Sequence, residues 1–307
     1  MDLRQLNYFL EVARTGNVSR AATRVWISQP ALSRQIQLLE EELGVALLER
    51  KARGVLLTEA GKLLQRRATT LMGDVAMLKE EVCAQSTEPS GNVAFAVPSA
   101  LRSLLTADVA SRFVQAYPKV RLAVYEGMSR SARDMVANGM ADVAIFSSQE
   151  QAQPLKWEPL LSEQLVAIGQ AKDKLSMDKP LSIKDLCRHP LILTSYPNSL
   201  RQIIDKAAAL AATVVQPRVE VDTSSLMMDL VVRGMGLAIL PACAVHGMFN
   251  TGLFSAAPVR GLRISWVVAT SRERVVSVAT TRLVEATFEL VRQRVAESAW
   301  PTAVLSG

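Results

Sequence analysis

Leu64, Ala68, Leu71, Val75, Leu78 and Val82 follow one another at steps of 4, 3, 4, 3 and 4 residues. An apolar seam this narrow belongs to an α-helix whose buried stripe is only two positions per heptad wide, the pattern of a coiled coil. A helix lying on its own globular domain usually shows a broader apolar face, so a dimer through this seam is favoured, with packing on its own domain as the second reading. Thr58 stands at the N-cap position, and the spacing predicts a long helix from there to about Ser86. Whatever folds on either side must be joined through this rod.

The segment before it reads as helices. Leu3, Leu6, Phe9, Leu10 and Ala13 fall on one helical face, and Thr15-Gly16-Asn17 carries turn chemistry that ends it. A short helix from Ser19 to Val25 follows. Ser28 then serves as N-cap for a third helix, with Pro30 in its first turn, where a missing N–H costs nothing. Leu32, Ile36, Leu39 and Leu43 give that helix its inner face, and Gly44 stops it. Two short helices with a tight connection form a helix-turn-helix pattern. Ala46–Leu57 then reads as a hairpin, a wing with a basic tip.

Beyond the polar hinge Ser86–Gly91 the pattern changes to strands alternating with helices. Strand-like runs are expected at 93–97, 120–125, 143–146, 165–168, 191–193, 219–221, 237–240 and 264–269. Helices are expected at 101–117, 131–138, 183–187, 200–212, 226–233 and 276–298. This alternation implies parallel sheets covered on both faces, and its length suits two α/β lobes with a cleft between them.

Charge bears on partners. The chain of 307 residues has a formal net charge of +6. Arg14, Arg20, Arg24 and Arg34 fall in the stretch 12–39, which contains no acid. A basic helix-turn-helix suits an anionic partner. Gln29, Pro30, Ser33, Arg34 and Gln37 lie at or one turn beyond the start of the third helix, the end that enters the major groove in such motifs. Gln and Arg forks match adenine and guanine edges. Arg50, Lys51 and Arg53 at the wing tip would lie along phosphates or in the adjacent minor groove. On spacing alone, a three-helix interaction module with a solvated basic face remains open. A small-anion binding protein or enzyme carrying such a module is the matching alternative for the whole chain.

Other chemistry finds little support. Gly234-Met235-Gly236 follows a helix and leads into a strand, the reverse of a dinucleotide fingerprint. Gly127-Met128-Ser129-Arg130-Ser131 lacks the second glycine of a nucleophile elbow. His189 and His246 are the only histidines, and neither a zinc site nor a catalytic triad can be built from them. No enzyme activity, metal or cofactor is expected. Cys83, Cys187 and Cys243 are far apart and suit a reducing compartment. A redox switch between Cys187 and Cys243 is conceivable, but no basic environment surrounds both thiols, and buried thiols are expected. The longest stretch without a charged residue, 234–259, is broken by Pro241, His246, Asn250 and Pro258, so a membrane helix of about 20 apolar residues is not expected. Met1–Arg4 lacks the apolar core of a secretory signal, and a cytoplasmic location is the expectation.

Leu6-Asn7-Tyr8-Phe9, Ala21-Ala22, Ser28–Ile36, Leu38–Gly44 and Arg53–Gly61 resemble the LysR-type transcriptional regulators. The likeness continues more loosely through Tyr117-Pro118, Glu126-Gly127, Gly139, Asp142 and Gly234–Pro241, and covers almost the whole chain. Trp26-Ile27 departs from the family, which more often has His and a small aliphatic there; a change in packing behind the turn is expected. The resemblance implies an α+β multidomain chain with a winged helix-turn-helix at 1–58, a dimerising linker helix at 59–88 and an effector domain at 89–307. That domain would have two Rossmann-like α/β lobes resembling periplasmic binding proteins, lobe I at about 91–161 and 267–307 and lobe II at about 162–266. It further implies an oligomer, commonly a tetramer, that bends promoter DNA and responds to a small-molecule co-inducer.

Hydroxyls stand at almost every strand end, where ligands sit in doubly wound sheets. Each also precedes a helix or loop, so ordinary N-capping is the second reading for most. By resemblance, Ser99, Ser129, Thr194, Ser195 and Thr223 match positions lining the family's inter-lobe cleft and would bind an organic or inorganic anion. Met128 and Phe146 would contact its apolar body.

Overall fold

A computed structural model of the chain describes residues 1–51, 54–83, 88–150, 155–246, 251–300 and 302–306, with the side chains of 50, 76, 77 and 79–83 left aside. It divides into two compact units, Met1–Thr87 and Glu88–Gly307.

In the first unit, α1 (Leu3–Thr15) begins with a capping box: the Asp2 carboxylate accepts from Gln5 N–H, and the Gln5 side chain accepts from Asp2 N–H. α2 (Val18–Arg24) is capped by Asn17, and α3 (Gln29–Leu43) by Ser28, whose hydroxyl accepts from Ala31 N–H. Their inner faces meet in one core of Phe9, Val12, Ala21, Ala22, Leu32, Ile36 and Leu39, closed by Leu47. The Glu40 carboxylate accepts from Leu47 N–H (2.6 Å) and Leu48 N–H (3.1 Å), so the acid that opens the Glu40–Glu42 run ties α3 to the wing.

The wing pairs β1 (Leu48–Lys51) with β2 (Gly54–Leu57) antiparallel, Lys51 opposite Gly54. Val55 N–H donates to the Gly16 carbonyl (2.9 Å), drawing the hairpin onto the end of α1. A Cβ at Gly54 would lie 2.4 Å from that oxygen, at φ +139°, which is why glycine sits there. The Thr58 hydroxyl accepts from Gly61 N–H (3.0 Å) and donates to the Ala46 carbonyl, opening α4 (Glu59–Cys83). α4 packs against α1. Residues 84–87, where that helix was expected to end and the hinge to begin, lie outside the described residues.

The second unit is built on one sheet. Its elements in chain order are β3 (Gly91–Pro98), α5 (Ala107–Ala116), β4 (Val120–Gly127), α6 (Ser129–Ala137), β5 (Val143–Ser147), β6 (Leu155–Gln170), α7 (Ile183–Leu186), β7 (Leu191–Leu193), α8 (Ser199–Leu210), β8 (Pro217–Glu220), α9 (Ser224–Val232), β9 (Leu237–Pro241), β10 (Phe254–Ser271), α10 (Val278–Ala296) and β11 (Val304–Leu305). The strand order is β4-β3-β5-β10-β6-β9-β7-β8, with β11 also paired to β6.

The purely parallel sheets expected from the alternation are only part of this. β3 runs parallel to β4 and β5, and β7 runs parallel to β8 and β9. The two groups are joined by β6 and β10, a long antiparallel pair registered from Leu155↔Ser271 to Gln170↔Phe254. β5 pairs with β10 at Trp266–Ala269, and β9 pairs with β6 at Leu165–Ile168. The middle of the ribbon, around Ser162–Gln164 and Arg263–Ser265, therefore bridges the two groups, with β11 alongside it. The first half of β6 escapes a period-2 reading because Pro159 interrupts it and its residues 156–159 are exposed.

The helix expected over 101–117 is broken at its start into a 3-10 turn (Ser99–Leu101) and a π-helical turn (Arg102–Thr106) before α5. The expected α8 stops at Leu210, with Ala212 left-handed at φ 50°. Most of the buried apolar side chains of both strand groups belong to one continuous core, from Phe95 and Phe113 to Ile192 and Met227.

Candidate functional site

Two places in the chain present chemistry. In the first unit, the start of α3 is turned outward: Gln29, Pro30, Arg34 and Gln37 are exposed and Ser33 half-buried. Gln29 Nε2 donates to Ser33 Oγ (3.3 Å), one helical turn away, which aligns an amide and a hydroxyl on the face beside Arg34. On the wing, Lys51 pairs with Glu49 (3.0 Å) with both side chains more than half exposed, a weak surface contact. The Arg50 side chain and Arg53 lie outside the described residues.

The expected change in packing behind the turn falls to Ile27, which packs against the core of the head, and not to Trp26, which is 92% exposed. Val25 N–H donates to the Ala21 carbonyl and Ile27 N–H to the Ala22 carbonyl, closing α2 in a Schellman-type end with Trp26 at its left-handed position, φ 58°. That position favours Gly, and a side chain there costs roughly 1–2 kcal/mol.

The seam of α4 is not uniform. Leu64 is half-buried against the core of its own unit, and Ala68 is buried within the chain. Leu71 (43%) and Leu78 (59%) are exposed, Val75 is half-buried, and the Val82 side chain is outside the described residues. The first part of the seam therefore packs within its own unit, and only the later part offers apolar side chains outward. Ala68 is removed from the outward stripe by the contacts α4 makes within its own unit.

In the second unit a small cavity opens between the two strand groups. Four segment starts converge on it: Ser99 after β3, Met128 and Ser129 at α6, Asn198 and Ser199 at α8, and Asp222 and Ser224 at α9. Ile264 and Trp266 of β10, with Pro241 and Met227, form an apolar wall. The α6 cap, Met128, and the α9 cap, Thr223, make no side-chain capping bond. The Ser129 hydroxyl accepts instead from Ser147 N–H (3.2 Å). First-turn N–H groups of both helices are thus left to an outside acceptor, a ready anion site. Thr194 Oγ1 is buried and has no hydrogen-bond partner, on a residue that lines the same cavity. Asp222 is the one ionisable side chain among the described lining residues.

Of the expected effector residues, Ser99, Met128, Ser129 and Thr194 line this cavity, and three do not. Phe146 is fully buried with Ala132, Val136 and Ala144: it points from β5 into the layer beneath α6, away from the cleft. Ser195 is committed elsewhere, its N–H and hydroxyl both donating to the Asp222 carboxylate (3.1 and 2.7 Å). Thr223 is exposed and only flanks the cavity through its neighbours Asp222 and Ser224. Asn198 and Ser199 were missed, although a Pro-Asn-Ser run before a helix carries a cap signal. Trp266 and Ile264 had no local signal, since only the β6–β10 pairing brings them there.

Two contacts span the cleft mouth. Arg130 Nη2 donates to the Pro197 carbonyl (3.4 Å), and Asn198 Nδ2 to Met128 Sδ (3.7 Å). The loop carrying Thr194 is held from behind by Arg201, only 7% exposed, which donates to the Thr194 carbonyl (3.3 Å) and Glu220 (2.6 Å) and lies over the Tyr196 ring at 5.0 Å.

Behind the apolar wall, in the middle of the β6–β10 ribbon, Glu163 is fully buried. It accepts from Trp266 Nε1 (2.6 Å), Trp300 Nε1 (3.1 Å) and Cys243 N–H (2.8 Å). Burial pushes the Glu163 carboxyl above its ordinary range despite these donors. Burial, then the nearby Glu163 carboxylate, pushes the Cys243 thiol well up. Cys187 is only half-buried, against the expectation of buried thiols. Among the described residues, no group of three or more His, Cys, Asp or Glu could hold a metal ion, and no helix is long and apolar enough to cross a membrane.

Residues 3–62 match the family described as bacterial regulatory helix-turn-helix protein, lysR family, and residues 86–292 match the LysR substrate binding domain. The chain is 30% identical over 275 residues to the HTH-type transcriptional regulator BbuR of Bordetella bronchiseptica, covering 89% of this chain and 85% of that one. It is 27% identical over 245 residues to the DNA-binding transcriptional dual regulator OxyR of Escherichia coli, covering 80% of each. Among solved structures, a full-length OxyR variant from Pseudomonas aeruginosa superposes with a TM-score of 0.77 at 21% identity, covering 100% of this chain and 99% of that one. CbnR, a LysR family transcriptional regulator, gives 0.65 at 20% identity, with 95% and 99% covered. These likenesses extend over both units, and the chain belongs to the LysR family of DNA-binding transcriptional regulators, a helix-turn-helix head followed by a substrate-binding effector domain.

Proposed function

We propose that this regulator is a cytoplasmic homo-oligomer whose promoter binding is controlled by a small, singly charged anion held in the cavity between two lobes, lobe I at about 91–161 and 267–307 and lobe II at about 162–266. The observation that carries the reading is the unpartnered, buried Thr194 hydroxyl beside two helix starts, α6 and α9, that lack side-chain caps. Ser99, Ser129 and Thr194 bind the anionic group with those N–H groups, while Met128, Met227 and Trp266 cover its apolar body. Asp222 disfavours a second negative charge at its end of the cavity. A ligand touching both lobes favours the closed arrangement by its differential affinity for the two states. No resident cofactor is required.

Gln29, Pro30, Ser33, Arg34 and Gln37 read base edges in the major groove, and Arg50, Lys51 and Arg53 follow the backbone. The outward part of the α4 seam, Leu71, Val75 and Leu78, joins two copies, with Val82 the next step of the sequence repeat, and the dimers pair into a tetramer.

Calorimetry of the full-length protein with benzoate, methanesulfonate and sulfate tests the cavity. Benzoate or methanesulfonate is expected to bind and divalent sulfate not, with Thr194→Val and Ser99→Ala weakening the monoanion that binds. Binding of neither monoanion at millimolar concentration, or affinity unchanged in both variants, overturns the anion reading. Arg34→Ala should abolish selective DNA binding and leave anion affinity intact; selective binding that survives refutes the recognition-helix assignment.

A further inference from the structure

We infer that Trp26 is a DNA contact, packing its indole against the sugar–phosphate strand beside the major groove that α3 enters. The inference rests on the assignment of α3 as the recognition helix. Trp26 is the most exposed large apolar side chain among the described residues, at 92%. It also occupies the left-handed position of the α2 end, at φ 58°, where glycine would be relaxed. Both features disfavour tryptophan in the isolated head, and at 92% exposure its side chain is scarcely covered by the described residues. A side chain that costs the free protein twice over is explained by what it meets in a complex.

Position and charge say which complex. Trp26 lies two residues before Ser28, the cap of α3, so the turn that presents it also presents Gln29 and Pro30. Exposed Arg20 on α2 and Arg34 on α3 give the motif positive charge, while Arg24 is paired with Glu11 (2.9 Å). An anionic polymer therefore fits this surface better than an apolar protein partner. Tryptophan suits the edge of a groove, with a flat apolar face for deoxyribose and one N–H donor for a phosphate oxygen. Because the indole is uncharged, its contact adds affinity without releasing a counterion.

The test uses the full-length protein and a duplex selected from a random library by the unmodified protein. Trp26→Gly is expected to weaken that duplex by about tenfold, with an unchanged slope of log affinity against log salt and a melting temperature at or above the original. Trp26→Phe keeps the apolar face and should fall between. Trp26 is the only tryptophan of the first unit, so emission lost in Trp26→Phe reports it; its quenching by neutral acrylamide should drop when the duplex binds. Affinity within twofold in Trp26→Gly, a shallower salt slope, or quenching unaffected by DNA overturns the inference. A change in sedimentation mass for Trp26→Gly also overturns it, assigning the side chain to a contact between copies. Arg34→Ala, run in parallel, separates the two readings: if it too binds like the original protein, the α3 assignment fails; if it alone loses selectivity, only the Trp26 contact does.

Discussion

Replacing Glu163 probes the joint between the two strand groups. In Glu163→Leu, the N–H groups of Trp266, Trp300 and Cys243 lose the acceptor that each has now, at 2.6, 3.1 and 2.8 Å. Each buried donor left unsatisfied costs about 1–3 kcal/mol, so the loss is about 3–9 kcal/mol, comparable with the 5–15 kcal/mol that ordinarily holds a domain together. Glu163→Gln is milder. Its one oxygen can serve Cys243 and Trp300, which share Oε2, but its NH2 then faces the Trp266 N–H, a single conflict of about 1–3 kcal/mol.

The two variants also differ in pH dependence. Burial raises the carboxyl in the folded state above its unfolded value, so the folded protein holds the proton after the unfolded chain has released it. This contribution to stability is complete below the unfolded value of about 4.5 and is lost as pH rises through the folded one. Gln does not titrate, so the advantage of the original protein over Glu163→Gln should shrink as pH rises. Urea unfolding of the second unit, followed by tryptophan emission from pH 4.5 to 8, measures both effects. A Glu163→Leu protein within about 1 kcal/mol of the original, or parallel pH profiles for the original and Glu163→Gln, would refute the argument.

Leu71→Glu places a charge on the outward stretch of α4, where Leu71 is 43% exposed, and should reduce oligomer mass in sedimentation without lowering the head's melting temperature. Gly61→Ala should destabilise the first unit by about 1–3 kcal/mol in thermal melts, although alanine is the better helix former, because its Cβ would meet the Leu47 carbonyl oxygen at 2.1 Å. Cys243 should resist iodoacetamide at pH 8 in the native protein and react promptly in urea, since burial holds its thiol well above the ordinary range; rapid native alkylation would reopen a redox role for it.

These expectations separate two kinds of information. The head was legible because its signals are local. Ser28, Pro30 and Gly44 bracket α3 within one short segment, and each acts on backbone groups only three or four residues away. Helical periodicity likewise placed Leu6, Phe9, Leu32, Ile36 and Leu39 inward, and these are buried, whereas Leu3 and Leu43, expected on the same faces, are exposed at the helix ends. Trp26 was the exception, because a residue type at a turn does not tell whether its side chain folds back or stands out.

The cleft was less legible. Hydroxyls at strand ends pointed to Ser99, Ser129 and Thr194, but the same signal drew in Ser195, which Asp222 takes up from 27 residues away. Phe146 was expected in the cleft by family resemblance, and a strand buried on both faces, as β5 is, carries no alternation to show which way a side chain points. The joint itself depends on partners about a hundred residues apart: Glu163 is apolar-buried in the middle of β6, and its bonds to Trp266 and Trp300 arise only when β10 and the segment before β11 close over it. Caps, turns and periodicity are written into neighbouring residues; the register of β6 against β10 and the burial of one carboxyl between two indoles come from bringing distant segments together, so the sequence by itself determined the elements, and tertiary packing decided which of their side chains face the ligand.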